Sequence, residues 1–154
     1  MKTLDKDEIA ALGIEGGWVL GLEDFVRYGD LDSNNHVNNK VYHAWFENIR
    51  VLYLQGLGVG LVLDGKAAIK PVVRSAYMEF NAQMMIGEDY VSLCHVSKLG
   101  RSSYQMDFAV WCAGTFRATG HVTMVMVNAT ATKSCPIPDD MREIFVTRDG
   151  AKTR

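Results

Sequence analysis

One helix-length segment, apolar around much of its circumference, precedes four strand-length segments, and nothing else of comparable size is present to cover them. Val41, Trp45, Ile49 and Leu52 recur at spacings of three and four, and Tyr42, Phe46 and Tyr53 widen the stripe. A stripe that broad belongs to an enclosed helix. Asn38 or Asn39 caps its start, Gly56 and Gly58 stop it, and the predicted helix runs to about Gln55. Strands are expected over 67–80, 89–99, 102–113 and 115–127, with turns at Gly87, Gly100-Arg101 and Gly114. Pro71 marks an edge or a bulge. A looser alternation over 17–27 adds a first strand. Upstream, Asp5-Lys6-Asp7-Glu8 reads as a capping box with Gly13 as the stop, giving a short helix over 8–12. The stretch Cys135 to Arg142 leads into a short terminal helix. These pieces predict an α+β fold in which an antiparallel sheet of about five strands, a meander in its later part, curls around one long central helix. The second face and the edges of such a sheet are left for self-association, as a homodimer or homotetramer.

At 154 residues, 48% hydrophobic and 22% charged, the chain fits one globular domain. The expected division is an N-terminal extension over 1–16, the main domain over 17–146 and a tail over 147–154. A net charge of -2 and a pI near 6.1 argue against nucleic acid as the partner, because no basic excess is present. The N-terminus is too polar and acidic for a signal or transit peptide, and no apolar run approaches the ~18 residues of a membrane span. A cytoplasmic protein is expected. Cys94, Cys112 and Cys135 are odd in number and lack C-x-x-C spacing, which suggests neither a disulfide framework nor a zinc site. His43, His95 and His121 also lack ligand spacing, and no metal or other cofactor is expected.

The chemistry concentrates in Asp30-Leu31-Asp32-Ser33-Asn34-Asn35-His36-Val37-Asn38-Asn39. A carboxylate, several amides and an imidazole enter a helix start, where outward-pointing N–H groups and the helix dipole favour negative charge. Such a loop is able to hold a developing oxyanion beside a fixed carboxylate. The plainer reading is a helix-entry turn, since Asp and Asn favour Asx-turns and caps. Calcium fails on inspection: Asp30, Asp32 and Asn34 fit the first, third and fifth loop positions, but Asn35 stands at the sixth and Val41 at the twelfth.

Arg27-Tyr28-Gly29-Asp30-Leu31-Asp32, then His36-Val37-Asn38-Asn39, Tyr42 and Phe46-Glu47, resembles the signature of hotdog-fold thioesterases of the 4-hydroxybenzoyl-CoA and YbgC-like acyl-CoA type. Leu99-Gly100-Arg101-Ser102-Ser103 resembles that family's turn between two long strands, Ala118-Thr119-Gly120 a later strand, and Pro136-Ile137-Pro138 its ending. The resemblance covers roughly 17–145. It implies the hotdog fold and an acyl-CoA thioesterase with Asp32 as general base or nucleophile, assisted by Asn34 and His36. It also implies that the Asn39 N–H holds the thioester oxygen and that Tyr42, Trp45 and Phe46 line the acyl group. Gly100, Arg101, Ser102 and Ser103 would lie near the pantetheine and nucleotide of CoA, at a subunit interface.

Two departures sharpen the reading. Asn35 stands where the family carries glycine, and asparagine is the best substitute at positive φ. Asp32-Ser33-Asn34-Asn35-His36 also spells D-x-N-x-H, the spacing of acyl-ACP thioesterases, although Gln83 falls where those enzymes carry a glutamate. Acyl-ACP is therefore the alternative substrate. A hydratase of the same fold would need D-x-N-P-x-H, which this loop lacks. A binding module that senses acyl-CoA without cleaving it is the remaining alternative, and Asp32 argues against it. The chemistry suits one carboxylate: a thiol with a pKa of about 8.5 leaves as thiolate and needs no strong acid.

Overall fold

The structure is a computed structural model that describes residues 1–58 and 68–154. In chain order its elements are β1 (Lys2–Leu4), α1 (Lys6–Ala11), β2 (Leu20–Phe25), a 3-10 turn (Tyr28–Asp30), α2 (Asn39–Gly56), β3 (Ile69–Phe80), β4 (Asp89–Leu99), β5 (Ser103–Cys112), β6 (Thr115–Asn128), α3 (Asp139–Thr147) and β7 (Lys152–Thr153). The expected start of a strand at Ala67 lies outside the described residues. The Asp5 box forms in full: Glu8 N–H donates to Asp5 Oδ1 at 2.9 Å and Asp5 N–H donates to Glu8 Oε2 at 3.0 Å. Asn38 is the cap of α2, accepting the Lys40 N–H at 3.1 Å.

The sheet is antiparallel except at β7, with a helix on it, but among the described residues it holds seven strands in place of about five, in the order β1-β2-β4-β5-β6-β3 with β7 beside β4. The two additions are short and lack any readable period. β2 pairs with β4 only from Asp89 to Cys94, which leaves the same edge of β4 open at Lys98 and Leu99, where β7 pairs in parallel. The meander is confined to β4, β5 and β6. β3 lies beyond β6, not beside β4, so the connection over 81–88 crosses the sheet. Within β3, Pro71 sits on an edge strand as expected, and the irregularity in register falls between Val73 and Ser75. Gly120 permits the β3–β6 pairing, since a Cβ there would stand 2.5 Å from the Tyr77 carbonyl oxygen.

The long helix has 18 residues and packs on one face of the sheet. Tyr42, Trp45, Phe46, Ile49, Tyr53 and Leu54 bury its inner side against Tyr90, Cys94 and Val96 of β4 and against Phe108 and Met124 beyond. Each large side chain so enclosed is worth about 1.5–3 kcal/mol. Residues of β4 in the alternate positions face the other way. There Val91 and Leu93, with Ala109 of β5, form a second, smaller core under Leu4, Ile9 and Ile14. The N-terminal segment thus covers part of the face that the long helix leaves bare.

The C-terminal end is tied to the helix. Asp149 is buried and accepts hydrogen bonds from the Tyr53 hydroxyl, the Val96 N–H and Arg148 Nε.

Candidate active site

The loop before α2 folds as a tight reversal. Leu31 and Val37 form an isolated bridge, Asp32 N–H donates to the His36 carbonyl at 2.8 Å, and Asn35 N–H donates to the Asp32 carbonyl at 3.1 Å. The reversal needs one left-handed residue, and Asn35 supplies it at φ 60°. Asp32 and Asp30 then take different roles. The Asp30 carboxylate turns back onto the Arg27 N–H at 2.8 Å. Asp32 Oδ1 accepts the Asn34 N–H at 2.8 Å, an Asx-turn that fixes the rotamer while the other oxygen has no protein donor among the described residues.

Asp32, His36, Val37, Asn39 and Tyr42 line one side of a cavity of about 280 Å3, and Phe80, Asn81, Ala82 and Gln83 line the other. Asp32 and His36 are half-buried. The Lys40 N–H is taken by the Asn38 side chain and the Val41 N–H by the Asn38 carbonyl at 2.9 Å. Among the described residues no acceptor faces the Asn39 N–H, which leaves a free donor at the positive end of the helix. Tyr42 forms the floor, edge-on to Phe80 at 5.3 Å and to Trp45 at 5.1 Å, and burial pushes its hydroxyl up to about 12. It therefore stays neutral at any working pH.

A family model for the thioesterase-like superfamily matches residues 26–145. The chain belongs to that superfamily. It is 33% identical to a thioesterase-superfamily protein from Jannaschia sp. CCS1, with a TM-score of 0.88 over 97% of this chain and 95% of that one. The PA2801 protein of Pseudomonas aeruginosa is 28% identical, with a TM-score of 0.72 over 80% of this chain and 95% of that one. A thioesterase of Thermus thermophilus, solved with coenzyme A and zinc, is 25% identical, with a TM-score of 0.74 over 89% of this chain and 98% of that one. No curated protein matches the sequence. Family and neighbours agree on the chemistry, and the chain is a thioester hydrolase.

The remaining expected site residues are scattered by the structure. Asn34 is exposed, does not line the cavity, and contributes its main-chain N–H to Asp32. Trp45 stacks on Tyr90 at 4.0 Å inside the core, away from the cavity lining. Phe46 stacks on Phe108 at 5.1 Å and lines a separate cavity of about 210 Å3 together with His43, Arg50 and Tyr77. The turn Gly100–Ser103 follows β4, ~35 Å along its 11 residues from Asp89, and none of its residues lines the cavity. Its Gly100 and Arg101 carbonyls accept Arg142 Nη2, and the Arg101 carbonyl also takes the Ile137 N–H.

Sequence reasoning placed no site residue at Phe80, Asn81 or Ala82, and found Gln83 only through its match to the glutamate of acyl-ACP enzymes. No local pattern marks them, because they reach Asp32 through the turn after β3. A larger cavity of about 550 Å3 opens near Phe25, Tyr90 and Trp111, but none of residues 30–39 lines it.

Proposed function

We propose that the chain hydrolyses acyl-CoA on a hotdog fold, with Asp32 as general base or nucleophile and the Asn39 N–H as oxyanion donor. One observation carries the reading: the Asp32 carboxylate and the residue with the free helix N–H line the same cavity. The coenzyme A bound to the Thermus thermophilus thioesterase supports CoA as the thiol carrier. In the base route, Asp32 takes a proton from water as its oxygen bonds to the thioester carbon, and the carbonyl π pair moves onto oxygen beside Asn39. The pair returns, the C–S bond breaks, and the thiolate takes the proton from Asp32, leaving carboxylic acid and free thiol. In the nucleophile route, the carboxylate itself bonds to the carbonyl carbon, the C–S bond breaks and expels thiolate, and water cleaves the resulting anhydride to free the acid and restore Asp32, with the released proton passing to the thiolate. His36 borders the same cavity, and in this reading its imidazole would hydrogen-bond the free Asp32 oxygen or the carbonyl of bound substrate.

The D-x-N-x-H spacing keeps acyl-ACP as the second reading, but Gln83 on the opposite wall is an amide where acyl-ACP enzymes place a carboxylate, so the first reading is preferred. A two-fold assembly fits either substrate. The outer edge of β3 has no strand beside it among the described residues, and Val73, Tyr77 and Phe80 are exposed there. In such an assembly Gly100, Arg101, Ser102 and Ser103 would meet CoA bound at a partner's site. Among the described residues no helix is long and apolar enough to cross a membrane.

The test is thiol release from a panel of acyl-CoA and acyl-carrier-protein thioesters by wild type and Asp32→Asn. The amide neither accepts a proton nor attacks, so turnover should fall by about 10²–10⁴ with the fold intact. Near-native hydrolysis by the purified variant would overturn the assignment. Faster hydration of a trans-2-enoyl thioester than thiol release from any substrate would put a hydratase in its place.

A further inference from the structure

One residue fastens the wall that faces Asp32. Asn81 and Ala82 donate their N–H groups to the Arg117 carbonyl at 2.8 and 3.2 Å, and Arg117 Nη1 donates to the Gln83 carbonyl at 2.6 Å. Three consecutive residues of the cavity lining are therefore held by one residue of β6. The guanidinium is itself anchored: Nε donates to the Cys112 carbonyl at 3.3 Å and to Thr115 Oγ1 at 3.1 Å. Arg117 Nη2 stands 3.5 Å from Glu88 Oε1, and Glu88 Oε2 accepts the Met85 N–H at 2.7 Å. The Arg117 and Glu88 side chains are 15% and 29% exposed, so the pair is shielded from much of the screening that weakens a surface ion pair. The same loop reaches the catalytic side, because Val37 N–H donates to the Met84 carbonyl at 2.9 Å.

We propose that Arg117 is a positioning residue for the hydrolysis described above: its side chain sets the distance between the Phe80–Gln83 wall and the Asp32–Asn39 side of the cavity. This inference rests on that reading of the site. The two bonds to the Arg117 carbonyl survive any substitution, whereas the Gln83 anchor and the Glu88 partner do not. Without the side chain, residues 83–85 relax outward and the slot that grips the thioester widens. Substrate binding suffers first, since no reacting group has been removed.

The experiment compares Arg117→Ala, Arg117→Lys, Glu88→Gln and Asp32→Asn in the full chain, over acetyl-, octanoyl-, palmitoyl- and benzoyl-CoA. For Arg117→Ala, KM should rise about tenfold or more with kcat within about threefold, as expected for a reactant held less closely. Lysine keeps the charge opposite Glu88 and one donor for Gln83, and should recover most of the KM shift; Glu88→Gln should raise KM severalfold. A purely structural role would lower apparent kcat with the folded fraction and leave KM in place. That result, or a KM within about twofold of wild type, overturns the proposal. If Arg117→Ala fails to fold, Glu88→Gln decides on the same criterion. Asp32→Asn is scored separately: full turnover there sinks the chemistry, whereas a dead Asp32→Asn alongside unshifted Arg117 variants sinks the positioning role alone.

Discussion

Replacing Asp149 by alanine measures how firmly the C-terminal segment is fastened to the long helix. The buried carboxylate accepts the Tyr53 hydroxyl at 2.5 Å, the Val96 N–H at 2.8 Å and Arg148 Nε at 2.8 Å. Arg148 is able to turn to water. Tyr53 and Val96 are not, being 2% and 0% exposed. Each donor orphaned in this way costs about 1–3 kcal/mol, so Asp149→Ala should lose about 4 kcal/mol. For a chain of 154 residues that corresponds to a melting temperature roughly 8–16 °C lower. Tyr53→Phe alone removes one donor and leaves the carboxylate with two, costing about 1 kcal/mol. In the D149A background the same change should cost nothing or stabilise, because it deletes an orphaned hydroxyl. Urea unfolding followed by tryptophan fluorescence measures all four corners of the cycle. Equal costs of Tyr53→Phe in both backgrounds, or a loss below about 1 kcal/mol for Asp149→Ala, would refute the reasoning. Tyr53 lies 14 residues along α2 from Asn39, or ~21 Å, so kcat of the folded variants should be unchanged.

Asn35→Gly should be neutral or slightly stabilising, while Asn35→Val should cost about 1–2 kcal/mol and reduce turnover by displacing Asp32, since valine resists a φ of 60°. Chemical unfolding and thiol release check both, and a valine variant with full stability and activity contradicts the loop geometry. At high pH, burial pushes Tyr42 up to about 12 and raises Tyr53, Tyr90 and Tyr104 further above the ordinary 10.0. The folded chain keeps protons that the unfolded chain gives up, so this contribution is whole below pH 10.0 and drains away as pH rises past it. Tyrosinate absorbance should therefore climb together with loss of the fold, and ionisation of these four residues in a still-native protein would count against the packing described.

What the sequence discloses is what neighbours along the chain decide. The Asp5–Glu8 box, the Asn38 cap, the left-handed Asn35 and the 89–99 strand all follow from local chemistry, and the structure carries each of them. Strand order is a different matter, because whether 69–80 pairs with 89–99 or with 115–128 depends on a crossover that no residue of either strand announces. β1 and β7, three and two residues long, are too short to show a period. The candidate site divides in the same way. Asp32, His36, Asn39 and Tyr42 fall within one loop and one helical turn and were legible together, whereas Phe80 to Gln83 and the Arg117 clasp come from distant elements. Trp45 packs on Tyr90 in the core, and a wide apolar stripe does not say which of its members face a cavity and which face the core.

The cavity has two banks of separate origin in the chain: Asp32, His36, Val37, Asn39 and Tyr42 from one loop and the helix it enters, and on the other side a crossover segment held from β6. A main-chain N–H at Asn39 survives almost any side-chain exchange, so the oxyanion donor of the proposed reaction would be robust. The opposite bank is free to drift, and a lineage that changed residues 80–83 would acquire a new diet without having to reinvent the reaction.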